Sequence, residues 1–357
     1  MASLFDQLEI RSITMKNRFM RSATTSAYAR EDGTLRQPII DLYRDLAEGG
    51  IGLILTGHLY VLNSGKAHQG MAGISQDSHI AGLKRIARIV HRNGGRIVAQ
   101  LNHAGIQHEP DRAGPSEYAG RNWRSRAMSE DEIQDIVGAF GDAAHRALTA
   151  GFDGVQIHGA HGYLVSQFLS RLVNRRNDPW GGSLQNRMRL LTAIYEEIRS
   201  TVGNAPVMLK LNCDDFSPDG FTVHDSGFVV QKMFERGVDL IEISGGGLGR
   251  REELIARANH DDSSLDEIPF AGHAARLRAK TGAGLMALVN GFRTLSTMRN
   301  IIERGLVDIV SMSRPFIRNP KLVQDLQVGQ ESATCIRCDR CLAPNVFGKE
   351  MLRCHLD

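Results

Sequence analysis

Residues 151–163 read GFDGVQIHGAHGY, and their order of residue types is the clearest indication of the fold. Its first glycine stands where a helix would end, a mostly apolar strand, FDGVQIH, follows directly, and polar side chains come at the end of that strand. Glycine suits a helix C-terminus because it adopts left-handed backbone without steric cost. A short, mostly apolar run is typical of a strand that is buried on both faces of a parallel sheet. The stretch therefore predicts a β/α unit with polar groups at the carboxyl end of its strand.

The same order of helix, glycine and strand recurs along the whole chain. One strand, RFMRSA, comes first and follows Asn17. Six more strands follow a glycine: IGLILT after Gly50, RIVAQL after Gly95, PVMLKLN after Gly203, VDLIEIS after Gly237, LMALVN after Gly284 and VDIVSMS after Gly305. With the strand in residues 151–163, the chain has eight predicted strands.

Helical periodicity fills the segments between these strands. Ile80, Leu83, Ala87 and Val90 form one apolar stripe, and Ser129 with Glu132 forms a capping box that opens the next long helix. Eight alternations of strand and helix with right-handed crossovers predict an α/β fold, a (β/α)₈ TIM barrel. An open doubly wound sheet is the alternative, and it is disfavoured because no G-x-G-x-x-G motif follows the first strand.

Length and composition limit the domain organisation and the partners. The chain has 357 residues, 42% of them hydrophobic, and a net charge of +3 without a long basic run. We expect one barrel over residues 1–330 with a short N-terminal hairpin, and a Cys-rich tail over residues 331–357 that packs on the barrel. Nucleic acid and membrane partners are disfavoured, and a small-molecule substrate is expected. The absence of signal-peptide features and of a membrane-length apolar run predicts a cytoplasmic location, and a homo-oligomer is left open.

The ends of the predicted strands carry mostly hydrogen-bond donors. In TIM barrels the carboxyl ends of the strands form the active-site mouth. Hydroxyl, amide, imidazole and ammonium groups there suit an electron-rich heterocycle with an anionic tail. At the last two strands, Gly291 allows close backbone approach and Arg314 offers a planar guanidinium, so a phosphate site is expected there. We expect the loops 104–128 and 248–266 to govern substrate choice.

Several motifs together resemble the Old Yellow Enzyme family of NADH:flavin oxidoreductases over essentially the whole chain. They are KNRFMRSA, AQLNHAG, HGAHGYLVSQFLS followed by NRRNDPWGGSLQNRMR, KLN, and VNGF with SMSRP. The resemblance implies non-covalent FMN at the barrel mouth, NAD(P)H as reductant, and ene-reductase activity on activated C=C bonds by ping-pong hydride transfer. The alternative within the resemblance is an amine or related dehydrogenase that passes electrons from FMN to an iron–sulfur cluster.

The resemblance also implies which residues contact FMN. Thr25 is expected near flavin O4, Gln100 at the pyrimidine ring, and Lys210 near N1 and O2. Many relatives have Arg in place of Lys210, so this chain keeps the charge but loses the bidentate fork. Many relatives also have Gly in place of Ser313, a second departure from the pattern. The remaining expected contacts, to the flavin edge and the phosphate, are Ala23, Thr24, Gly57, Asn290, Gly291, Ser313 and Arg314.

The resemblance implies three catalytic residues after the fourth strand. His158 and His161 are expected to hydrogen-bond the carbonyl oxygen of the substrate, and Tyr163 is expected to supply a proton at the α-carbon. The alternative for each is a structural role, with buried histidines and a packed tyrosine ring. A zinc hydrolase is disfavoured because H-x-x-H lacks the spacing of H-E-x-x-H, and a non-catalytic binding barrel is the other alternative.

Four of the five cysteines lie close together near the end of the sequence. Their spacing, C-x₂-C-x₂-C-x₁₂-C, resembles the [4Fe–4S] segment of the trimethylamine dehydrogenase and 2,4-dienoyl-CoA reductase branch, in which four thiolates hold the cluster. Arg337 and Arg340 flank the sulfurs, which departs from a simple transfer. Reduced cysteines or a structural zinc site are the alternatives. The candidate ligands are Cys335, Cys338, Cys341 and Cys354.

Overall fold

A closed ring of eight parallel strands forms the centre of the protein. The structure is a computed structural model that describes residues 2–120, 122–248, 268–282, 284–343 and 347–356. Each strand pairs with the next in the chain, and the eighth pairs with the first, with Val310 opposite Phe19. The strands are β1 Phe19–Arg21, β2 Leu53–Leu55, β3 Arg96–Asn102, β4 Gly154–Gly159, β5 Val207–Asn212, β6 Leu240–Ser244, β7 Met286–Val289 and β8 Ile309–Met312. This ring confirms the predicted (β/α)₈ barrel.

Within the described residues, a helix of the outer layer follows every strand. Leu83, Ala87 and Val90 face the core as predicted. The predicted capping box is also confirmed, because Glu132 N–H donates to Ser129 Oγ at 3.2 Å and Ser129 N–H donates to Glu132 Oε2 at 2.8 Å. The helices are α1 Gln37–Glu48, α2 Ile80–Arg92, α3 Glu130–Thr149, α4 Arg189–Val202, α5 Val223–Glu235, α6 Ala271–Thr281, α7 Leu295–Glu303 and α8 Leu322–Gln327.

An N-terminal hairpin closes the amino end of the barrel, as predicted. Its strands, Leu8–Ile10 and Ile13–Met15, pair antiparallel. Ile10, Ile13 and Met15 pack in one apolar cluster with interior residues of the barrel strands, such as Met20 and Leu53. A separate, larger apolar cluster fills the space between the strands and the outer helices. The barrel interior is therefore apolar at its amino end.

Shorter elements lie around the carboxyl ends of the barrel strands. The predicted loop 104–128 contains a small three-stranded sheet, whereas the predicted loop 248–266 lies almost wholly outside the described residues. The small sheet is formed by Ala113–Gly114, Tyr118–Ala119 and Arg124–Ala127; the other short elements are strand Leu59–Tyr60, which pairs with β3, and helices Leu164–Leu169, Leu184–Arg187 and Arg314–Arg318.

The predicted domain division, cellular location and oligomeric state concern the chain as a whole. The described tail contacts the barrel, since Ser332 forms a β-bridge with Thr294 and Ala333 is buried. The division of the chain at residue 330 stays a prediction. Among the described residues, no helix is long and apolar enough to cross a membrane. The cytoplasmic location and the oligomeric state stay predictions.

A buried ion pair lies inside the barrel towards its carboxyl end. Lys210 Nζ lies 3.3 Å from Glu242 Oε1, and these side chains are 3% and 0% exposed. Glu242 Oε1 also accepts from the hydroxyls of Ser22 and Ser311 at 2.7 Å, and Glu242 Oε2 accepts from Gln156 Nε2 at 3.1 Å. Lys210 Nζ donates to Ser22 Oγ at 2.8 Å. The carboxylate is thus compensated by groups from four different strand regions.

Replacement of Glu242 by Leu is expected to lower the free energy of unfolding by about 3–5 kcal/mol, because it leaves the Lys210 ammonium buried without its counter-charge. The double variant Glu242→Leu with Lys210→Met is expected to lose much less, since no buried charge remains unpaired. Urea denaturation of the wild type, both single variants and the double variant measures this coupling. Losses that simply add in the double variant would contradict the ion-pair account.

Candidate active site

A cavity of about 500 Å³ opens at the carboxyl ends of the barrel strands. Its volume lies in the range of cofactor and small-molecule sites. Eight of the residues predicted for the site line it, and they follow β1, β4, β7 and β8 or belong to β5. These residues are Ala23, His161, Tyr163, Lys210, Asn290, Gly291, Ser313 and Arg314.

Three further predicted residues lie at the ends of β1 and β2 and do not line this cavity. Thr24 Oγ1 is 2.7 Å from the Oγ of Ser313, which does line the cavity. Thr25 Oγ1 is 3.3 Å from His68 Nε2. Gly57 packs against this segment so closely that a Cβ there would lie 2.9 Å from Thr24 O and 3.0 Å from Thr25 Cα. The end of β2 therefore requires glycine at this position to approach the end of β1.

Gln100, the fourth predicted residue outside the cavity wall, belongs to a buried polar chain across the barrel. It is 1% exposed, and its Nε2 donates to Gln156 Oε1 at 2.7 Å. Gln156 in turn donates to Glu242 Oε2. In the parallel register, Gln100 lies opposite Gln156 and Lys210 lies opposite Glu242. These hydrogen-bonded side chains connect β3 to the Lys210–Glu242 ion pair, because the strand register places them side by side.

The two predicted catalytic histidines and the tyrosine form one cluster, but they occupy different depths. The ring of His158 lies 4.9 Å from that of Tyr163 and 5.4 Å from that of His161, between ring centroids. His161 and Tyr163 line the cavity, whereas His158 is 4% exposed and does not. His161 Nε2 lies 2.7 Å from Ser244 Oγ, which holds the imidazole at the cavity wall. His58 joins the cluster at 5.0 Å from the ring of Tyr163.

Burial keeps the inner imidazoles of this cluster neutral. It lowers the pKa of His58 to about 3, with positive charge on His68 and Lys210 adding to the shift. Burial likewise lowers the pKa of His158 well below its usual range, and the nearby His161, His58 and Lys210 add to this effect. Among the described residues, His58 Nε2 and His158 Nδ1 are buried without a hydrogen-bond partner. At neutral pH each of these rings therefore carries a single N–H.

The predicted phosphate site lies where β7 and β8 end, and the tail reaches it. Arg314 donates through Nη2 to Asn290 Oδ1 at 3.1 Å and through Nη1 to Asp339 Oδ1 at 2.8 Å. Arg337 Nη1 donates to the backbone oxygen of Gly291 at 3.4 Å. Gly291 has a left-handed φ of 90°. Two guanidinium groups and one carboxylate therefore meet at this part of the cavity.

Two groups of cavity residues were not expected from the sequence. Residues 245–247 are three glycines that follow β6 and line the cavity, and a Cβ on Gly247 would lie 2.8 Å from Asp215 Cγ. In the sequence, three consecutive glycines at a strand end indicate a close approach of the backbone and could have predicted these residues. Arg337 and Asp339 of the tail also line the cavity. For these two no local signal exists, because only the path of the tail brings them to the barrel mouth.

The four tail cysteines lie near one another without forming a complete metal site. Burial raises the pKa of Cys335, and the sulfurs of Cys354 and Cys338 add to the shift. Burial, followed by the charge of Asp339, raises the pKa of Cys341 to about 11, and Cys335 adds to it. Nowhere in the described ranges are three or more His, Cys, Asp or Glu side chains placed to hold a metal ion.

Known proteins resemble the chain over nearly its whole length. A profile of the NADH:flavin oxidoreductase / NADH oxidase family matches residues 3–333. The chain belongs to that family. An NADPH dehydrogenase of Geobacillus sp. (strain WCH70) is 34% identical over 323 residues, which cover 89% of this chain and 91% of the relative. The chain is thus an NAD(P)H:flavin oxidoreductase, which confirms the predicted enzyme class with FMN and NAD(P)H.

Two other similar proteins are longer than this oxidoreductase. An NADH oxidase of Thermoanaerobacter brockii is 30% identical over 365 residues, which cover 99% of this chain and 55% of the relative. The solved structure of a 2-naphthoyl-CoA reductase in complex with 2-naphthoyl-CoA matches with a TM-score of 0.91 at 26% identity, covering 99% of this chain and 56% of that chain. The chain therefore spans about half the length of these two proteins.

The free energy of unfolding of this oxidoreductase is expected to fall as the pH is lowered from about 6.5 towards about 3. Histidines of the unfolded chain take up protons below about pH 6.5, whereas buried His58 does so only near its pKa of about 3. Each such difference of one proton changes stability by about 1.4 kcal/mol per pH unit. Urea denaturation at several pH values measures the slope.

The variant His58→Asn is expected to reduce this slope by up to about 1.4 kcal/mol per pH unit, the value for one proton. The variant His224→Asn, which removes an exposed histidine, is the matched control. An unaltered slope in His58→Asn would contradict the neutral state of His58 in the folded protein.

Proposed function

We propose that this oxidoreductase reduces activated C=C bonds, such as those of α,β-unsaturated carbonyl compounds, with electrons from NAD(P)H. The observation that supports this best is that His161 and Tyr163 follow the same strand and line one cavity together with Lys210. An imidazole and a phenol side by side suit a substrate that needs hydrogen bonding at a carbonyl oxygen and a proton at a nearby carbon. The name 2-naphthoyl-CoA reductase denotes action on an acyl thioester whose carbonyl is conjugated to carbon–carbon double bonds.

The described residues fit FMN as the cofactor. The cavity volume suits it, and the ammonium of Lys210 and the guanidinium of Arg314 in the cavity wall suit its electron-rich ring and its phosphate. When bound, FMN supplies the hydride carrier that couples NAD(P)H oxidation to substrate reduction. We assign its binding to Ala23, Thr24, Thr25, Gly57, Gln100, Lys210, Asn290, Gly291, Ser313 and Arg314.

The three residues at the end of the fourth strand have two roles in the proposed reaction, which are hydrogen bonding to the substrate and proton transfer. His161, which lines the cavity, donates an N–H group to the carbonyl oxygen of the substrate, and Tyr163 donates its phenol proton to the α-carbon. His158 is assigned to the same oxygen, which requires the substrate to reach past the cavity wall to its buried ring. Because its pKa is lowered, His158 stays neutral at pH 7 and donates without titrating. Hydrogen bonds of this kind stabilise the negative charge that develops on the oxygen. Ser244 orients the ring of His161.

Replacement of both His158 and His161 by Ala is expected to lower kcat/KM for 2-cyclohexenone by about 100-fold or more while FMN stays bound, because the charge on the oxygen loses its donors. Of the single variants, His161→Ala should lose more, since His161 lines the cavity and His158 lies behind it. Tyr163→Phe should slow enone reduction but not flavin reduction by NAD(P)H. Stopped-flow measurement separates the two half-reactions, and flavin absorbance reports cofactor content.

The exposed His145 on α3 provides the control, His145→Ala, which should retain full activity. Unchanged enone turnover in the double variant with FMN bound would remove the proposed role of the histidines. The same stopped-flow experiment with NADH, NADPH and amines identifies the electron donor.

For the tail we propose that Cys335, Cys338, Cys341 and Cys354 bind a [4Fe–4S] cluster. Their C-x₂-C-x₂-C-x₁₂-C spacing supports this proposal. Within the described ranges the sulfurs do not converge on a metal position, so binding requires them to move closer together. Zinc on the same thiolates is the competing occupant. A cluster would favour the second candidate function, an amine or related dehydrogenase.

Protein purified without oxygen is expected to contain about four irons and four acid-labile sulfides per chain, as a cubane cluster requires. The variant Cys338→Ser should lose most of both. The variant Cys213→Ser is the matched control, because Cys213 is buried in the barrel rather than in the tail, and it should keep them. One zinc per chain, or no metal, would refute the cluster.

A further inference from the structure

The CIRCDRC segment of the tail, residues 335–341, turns two charged side chains towards the cavity. Arg337 and Asp339 both line it. Their backbones are left-handed, with φ of 57° and 55°, a conformation that few residues other than glycine adopt. Arg337 is 8% exposed, whereas Arg340 of the same segment is exposed to solvent. The segment therefore directs one arginine to the cavity and another to the surface.

Arg314, the residue expected to hold a phosphate, is already paired with one of these side chains. Its Nη1 donates to Asp339 Oδ1 at 2.8 Å and its Nη2 to Asn290 Oδ1 at 3.1 Å. The side chains of Arg314 and Asp339 are 15% and 19% exposed, so water screens the pair only partly. A carboxylate in contact with a guanidinium cancels much of the attraction that the guanidinium offers to an anion. The Arg314–Asp339 pair is thus close to neutral.

Arg337 places a second guanidinium at the same part of the cavity. Its Nη1 reaches the backbone oxygen of Gly291, the residue whose left-handed backbone starts the loop after β7. A Cβ on Gly291 would lie 2.8 Å from Pro269 Cδ, so the backbone here is tightly packed and the position of its oxygen is well defined. Arg337 therefore brings a second guanidinium beside the Arg314–Asp339 pair, and a planar guanidinium matches the geometry of phosphate oxygens.

We propose that Arg337 determines the specificity of the cavity for a flavin that carries a phosphate monoester, and that Asp339 weakens phosphate binding by holding Arg314. The ligand class is the phosphorylated flavin, as opposed to the same ring system without its phosphate. The inference rests on the proposed FMN site. It adds that the tail supplies a ligand-contacting cation to the barrel.

The test compares the dissociation constants of FMN and riboflavin, measured by quenching of flavin fluorescence on the full-length protein after its flavin has been removed. Because FMN and riboflavin differ only in the phosphate, the ratio of the two constants measures the contribution of the phosphate to binding. Arg337→Gln is expected to weaken FMN binding about tenfold or more and to leave riboflavin binding unchanged. Arg337→Lys should show an intermediate loss, because it keeps the charge without the fork. Asp339→Asn should tighten FMN binding by about threefold or more, again without affecting riboflavin.

Arg340→Gln is the matched control, since it removes the same charge from the same segment on its solvent side; it should change the ratio little. Equal losses of FMN and riboflavin in Arg337→Gln would mean that Arg337 only shapes the cavity wall, and the inference would be wrong. If Arg340→Gln changed the ratio as much as Arg337→Gln does, the loss of FMN binding would follow from net charge alone, and the inference would also be wrong. Failure of the wild-type protein to bind either flavin would instead refute the proposed function, and the inference with it.

Discussion

The carboxylate of Glu242, fully buried inside the barrel, is the constraint on which the active-site mouth depends. A buried charge is tolerated only when it is paired and hydrogen-bonded, and Glu242 obtains this from Lys210, Ser22, Ser311 and Gln156. These partners come from strands that are far apart in the chain; Ser22 and Lys210, for example, are separated by 188 positions. Satisfying the one carboxylate therefore aligns strand ends from opposite sides of the ring. The same register sets His158 directly opposite Lys210.

The two ends of the barrel differ in polarity, and this difference gives the site its direction. At the amino end the hairpin inserts Ile10 and Ile13 among interior apolar residues. At the carboxyl end the interior carries charges and amides. Because the apolar plug excludes water from below, the ion pair lies in a medium of low dielectric constant, where electrostatic interactions are stronger than in water. In the part of the chain that the structure describes, the cavity that leads to these polar groups opens at the mouth.

The tail contacts the mouth at two separate places. Asp339 pairs with Arg314, as described above, and Phe347 lies 5.2 Å from the ring of His68, between centroids. His68 in turn lies beside Thr25, one of the residues predicted to contact the flavin. The cysteine segment and the cavity therefore share side-chain contacts. A change in how the tail folds would reach the cofactor site directly rather than through the barrel core.

The amino-acid sequence sufficed to predict the eight-stranded barrel, the hairpin and the polar groups at the strand ends, because glycine positions and hydrophobic periodicity are local signals that each β/α unit carries separately. Which of the strand-end residues line the cavity depended on three-dimensional packing. His158 and His161 are equivalent in the motif, yet His158 lies behind the cavity wall, since side-chain direction and packing differ within a single turn. Likewise, no local pattern could pair Asp339 with Arg314, because that contact depends on where the tail returns across the mouth and on the energy of pairing two charges that are partly removed from water.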